Sequence, residues 1–123
     1  MCNPALATPY RCGARGPDAY DCWGLVLAVL GTRPDLASYT LEDRDRIDEY
    51  LCQELRAGLW RAVWPPAAGD LVLMGTRERL RHAGVATAAG ILHTTPRTGV
   101  VIDSLGHLAQ LYARLEAYRP WRA

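Results

Sequence analysis

The sequence contains no lysine and no phenylalanine. All 14 basic residues are arginine, scattered along the chain, and they nearly balance 13 acidic residues to leave a formal charge of +1. So small a net charge gives no global attraction to nucleic acid or to an anionic membrane surface. Long apolar runs are missing as well: the longest, Leu25 to Leu30, is far too short to cross a bilayer. The opening MCNPALATPYRCGARG has no basic segment followed by an apolar stretch, so no secretory signal is expected. There is no CxxC or HxxxH spacing, and Cys2, Cys12, Cys22 and Cys52 stand ten or more residues apart. Neither a metal centre nor a disulfide framework is therefore expected.

What is present suits one globular domain over residues 1–123, with half of the residues apolar and 22% charged. Residues 1–20 read as a loop-rich lead-in punctuated by Pro4, Pro9, Gly13, Gly16 and Pro17. Asp21 then makes a good N-cap for a helix over 22–30, which Gly31 closes. Leu25, Val26, Leu27, Val29 and Leu30 leave that helix no polar face, as for a helix buried on most sides. A second helix is expected from about Leu41 to Ala57. Thr40 and Asp43 cap it, its apolar stripe is Ile47, Leu51, Leu55 and Leu59, and the charged run LEDRDRIDE is its solvated face. Together these make a helical part over 21–58, followed by the turn segment WPPAAGD.

From residue 69 the pattern shortens. DLVLMG (70–75), HAGVAT (82–87), GILHTT (90–95) and GVVIDSL (99–105) read as strands of a meander. A short helix, LAQLYARL (108–115), and a closing strand or tail, EAYRPW, complete residues 106–123. Helices first and antiparallel strands second predict an α+β fold with the helices on one face of the sheet. Trp60, Trp64 and Trp121 read most simply as core or interface anchors.

The chemistry concentrates in PDAYDCWGLVLAVLG, which puts a thiol at the first turn of the buried helix. Helix N-terminal N–H groups and the macrodipole favour an anion there, which helps a thiol become a thiolate. Such a nucleophile needs a base and a group to orient that base. Of the three histidines, His82 opens one strand and His93 lies eleven residues later on the next. In a hairpin turning near Ala88–Gly90 the two fall near the same end of the sheet, provided the register does not slip by one. The bland readings are a buried packing cysteine and core histidines. His107, after Gly106, reads as a surface residue, and Cys12 as incidental, although a Cys12–Cys22 disulfide would block the nucleophile.

The segments PYRCGARGPDAYDCWGLV, PAAGDLVLM and RHAGVATAAGILHTTPRTGVVIDSL, in this order, resemble the NlpC/P60 family of cysteine peptidases. The resemblance spans about Tyr10 to Leu105 and implies a papain-like fold in which N-terminal helices pack on an antiparallel sheet. It also implies Cys22 as nucleophile, His82 as general base and His93 as the orienting third residue. Tyr10 corresponds to a tyrosine that lines the family's site, and Asp21 to an acid that binds a free amine or fixes the helix start. The Cys22 N–H would contribute to an oxyanion hole. Trp23 stands where many members have a serine that contacts the bound peptide.

The activity so implied is hydrolysis of an amide bond in peptidoglycan stem peptides, with no cofactor, no nucleic acid and no membrane insertion. The Asp-Cys-Trp-Gly variant, the YRPW ending and the missing signal resemble the branch found in bacteriophage and prophage tail-assembly clusters. That branch implies tail-tip proteins as partners and a place on the virion tail, acting on the cell wall. Two rivals remain: an amidase or acyl transferase using the same triad, and a structural tail-tip subunit with a masked or vestigial site.

Overall fold

The computed structural model describes residues 4–31, 53, 56–58 and 60–120. The expected helix near 41–57 lies outside the described residues except at Gln53 and Arg56, which are helical, and Ala57, which is in a turn. Helix α1, Cys22–Leu30, begins and ends where its capping residues place it. The Asp21 side chain accepts from the Gly24 N–H, and Gly31 closes the helix at φ 83°. Leu25 and Val26 are fully buried, as an all-apolar helix requires.

Among the described residues six strands follow: β1 Trp60–Val63, β2 Leu71–Gly75, β3 Leu80–Thr87, β4 Gly90–Thr95, β5 Gly99–Asp103 and β6 Arg114–Pro120. They form one antiparallel sheet in the order β1-β6-β2-β3-β4-β5. Strands β2 to β5 are the expected meander. The residues read as a closing strand or tail instead run between β1 and β2, pairing with both. Helix α2, Leu105–Leu111, starts earlier than its apolar pattern suggests because Ser104 caps it, accepting from the His107 N–H at 3.0 Å.

Helix α1 covers one face of the sheet, and the later helix α2 covers the other. Leu71, Leu73, Val85, Leu92 and Val100 pack with α1, which sits against β3 and β4. The alternate residues Val72, Met74, Ala86 and Ile91 pack with Leu108 of α2. Every residue of β2 is buried, so LVLMG is apolar throughout rather than at every second position. At the start of β2 the Asp70 carboxylate takes a two-pronged ion pair from Arg119 of β6, both bonds 2.8 Å. Burial alone would raise the Asp70 pKa. The Arg119 bonds and charge, with the Ala67 N–H, outweigh it and hold the group below its ordinary value.

The lead-in is tied down by main-chain bonds. The Ala7 N–H donates to the Val100 carbonyl at 2.8 Å, and the Val100 N–H donates to the Thr8 carbonyl at 2.9 Å. Tyr20 N–H to the Pro9 carbonyl and Arg11 N–H to the Tyr20 carbonyl then fold the loop back on itself. These bonds fix Tyr10 next to the start of α1.

Candidate active site

Cys22 is the first residue of α1 and is 2% exposed; neither it nor the exposed Cys12 is in a disulfide. Its position is set by Asp21, whose fully buried carboxylate is used on both oxygens. One oxygen accepts the Gly24 N–H at 2.6 Å; the other accepts Arg15 Nη1 at 2.7 Å and the Gly13 N–H at 3.1 Å. Asp21 therefore acts as cap and anchor for the lead-in loop, and it does not line the cavity described below. Trp23 likewise turns into the α1 core cluster rather than the cavity.

The two histidines meet. His82 Nε2 and His93 Nδ1 are 2.9 Å apart, with the rings edge to face at 72°. Both side chains are buried. The hairpin pairs Val85 with Leu92, so the next residues outward, Gly84 and His93, stand across from each other and His82 lies on the diagonal. Gly84 makes the diagonal contact possible. A Cβ there would come within 2.7 Å of the Leu92 carbonyl oxygen and 3.0 Å of His93 Cβ. Behind the pair stands a residue the sequence reading passed over: Asp103 Oδ2 is 2.7 Å from His93 Nε2. In the sequence it reads only as part of the strand 99–105, and its role depends on the pairing of β4 with β5.

His82 also stacks on Tyr112, just beyond α2, at 17° between ring planes. Tyr10, Cys22, His82 and Tyr112 all line one cavity of about 520 Å³. Arg77, Arg81 and Thr94 contribute to the same wall, and among the described residues no acidic one does. His93 sits behind His82, outside that wall. Among the described residues no group of three or more His, Cys, Asp or Glu is arranged to hold a metal ion. His107 belongs to α2 and is exposed. The arrangement thus offers a buried thiol at a helix start, an imidazole in the same cavity, and a hydrogen-bonded chain holding that imidazole from behind. Those are the parts of nucleophilic acyl transfer.

A family model described as the NlpC/P60 family matches residues 7–115. Among solved structures, the chain is similar to that entitled "Crystal structure of NlpC/p60 domain of peptidoglycan hydrolase SagA". The TM-score is 0.59 and the identity 23%, over 95% of this chain and 89% of that one. At that identity the likeness speaks for the fold.

Proposed function

The chain belongs to the NlpC/P60 family, and on that premise we propose that it is a cysteine peptidase that hydrolyses an amide bond in peptidoglycan stem peptides. The observation that carries the reading is the shared cavity of Cys22 and His82, with His93 bonded to the far side of the His82 ring. In this mechanism the Cys22 thiol gives its proton to His82, and the thiolate attacks the amide carbonyl carbon. The helix N-terminus, with the Cys22 N–H, favours the oxyanion that develops. Collapse of the tetrahedral intermediate passes the His82 proton to the leaving amine and leaves an acyl-enzyme. Water, deprotonated by His82, then releases the acid and restores the thiol. His93 holds the His82 ring in place.

The substrate class has its own support. Two arginines, Arg77 and Arg81, line the cavity, and among the described residues no acid does, which suits a peptide bearing carboxylates beside the scissile bond. Stem peptides carry such groups. Tyr10 projects into the same cavity and would contact the bound peptide. Asp21 acts on substrate only through the placement of Cys22, and Trp23 through the packing of α1. We place the protein further in the phage and prophage tail branch, working from the virion tail with tail-tip proteins as partners. What supports this is DCWG at 21–24 with YRPW at 118–121.

Digestion of purified peptidoglycan by wild type and Cys22→Ala, with released muropeptides weighed by mass spectrometry, tests the reading. Stem-peptide fragments released by wild type alone are expected. Cleavage at the sugar–peptide amide would instead indicate an amidase. No cleavage by folded, reduced wild type, together with stoichiometric co-purification with tail proteins, would favour the structural role.

A further inference from the structure

The contact between His82 and His93 has no direction of its own. Each ring of a neutral histidine carries one N–H and one lone pair, so either ring can be the donor. The two directions differ in outcome. If His93 Nδ1 holds the proton, His82 must accept at Nε2, and its own proton sits on Nδ1. His82 then has no nitrogen left to take a proton from Cys22. If His82 Nε2 donates, Nδ1 is left with the lone pair and His82 is a base.

We infer that Asp103 decides between the two, and is a positioning residue for the reaction proposed above. A carboxylate only accepts. Its Oδ2, 2.7 Å from His93 Nε2, requires the His93 proton to be on Nε2. His93 Nδ1 then carries a lone pair and accepts from His82 Nε2 across 2.9 Å. One acceptor at the edge of the sheet thereby fixes the tautomers of two buried rings and leaves His82 Nδ1 as its only basic nitrogen. When the Cys22 proton moves to His82, the same carboxylate stabilises the resulting imidazolium through the neutral His93 ring. No proton need reach Asp103. The alignment depends on pairing across β4 and β5, where Ile91 faces Asp103 and His93 faces Val101. Among the described residues, the other groups facing this chain are Tyr112, stacked on His82, and Tyr10, Cys22, Arg77 and Arg81 around the cavity.

The test compares wild type with Asp103→Ala, Asp103→Asn and Asp103→Glu, with folding checked by circular dichroism. In ¹⁵N spectra of the histidine side chains, wild type should show both rings protonated on Nε2. Asp103→Ala should show a mixture on His82 and His93. In turnover, Ala and Asn variants should lose about 10- to 100-fold in kcat/KM, the scale of losing a carboxylate that orients a functional histidine. Their activity should also fall at lower pH on the alkaline side, because the imidazolium has lost its counter-charge. Asp103→Glu should recover part of the loss. The isosteric Asn variant serves if Ala does not fold. Unchanged ¹⁵N spectra, or undiminished activity with an unmoved pH profile in a folded variant, would overturn the inference. Wild type that cleaves nothing while the spectra still shift would sink the peptidase reading and leave the tautomer assignment standing.

Discussion

Gly84 stands across from His93 without a side chain, and that vacancy is what lets the His93 ring lean over to His82. An added methyl at Gly84 has no room, because the nearest atoms are the main-chain oxygen of Leu92 and the Cβ of His93 itself. Gly84→Ala should therefore part β3 from β4 where the histidines meet. Overpacking of this kind costs about 1–3 kcal/mol in stability. Loss of hydrolysis in the folded variant should exceed what that destabilisation explains, and a thermal melt beside a muropeptide assay checks this. Preserved activity would mean that the pair tolerates a shift. At the same scale, Cys22, His82 and His93 were legible as residue types at a plausible spacing. Gly84 and Asp103 were not, since one matters for what it lacks and the other for a strand it pairs with.

At the scale of elements, the caps and short periods in the sequence located α1 and the strands β2 to β5 to within a few residues. Asp21 and Gly31 are local signals, and a strand's alternation needs no partner to be read. The place of β6 is not local. Its pairings run from Gly75 with Arg114 to Trp60 with Pro120, about forty to sixty residues apart, and β1, four residues between Gly58 and WPPAAGD, is too short to show a strand period. The Asp70–Arg119 pair fastens this junction. Because Asp70 titrates below its unfolded value near 3.8, the pair's contribution to stability is fully present above that pH. It is lost as pH falls through the lower, folded value. Wild type should thus melt above Asp70→Asn near neutral pH, and the gap should close below about 3.8, as melts at stepped pH would show. A gap that persists or widens in acid would contradict the assignment.

For the whole molecule, we propose that residues 1–123 form a single cooperative unit. The main-chain bonds from Ala7 and Thr8 to Val100 tie the lead-in to the sheet, and α1 sits on the strands that carry the histidines. Far-ultraviolet dichroism and tryptophan fluorescence should therefore report one coincident unfolding transition. Two separate transitions would divide the chain into units. The order of the sheet also bears on how the protein is made. Strand β6 lies between β1 and β2, yet every described residue lining the cavity leaves the ribosome before it does. Until residues 114–120 emerge, β2 has an open edge in what becomes the interior of the sheet, and the growing chain has no complete scaffold for its thiol. On the proposed function, the cell that makes this hydrolase is spared its activity until synthesis has passed that point.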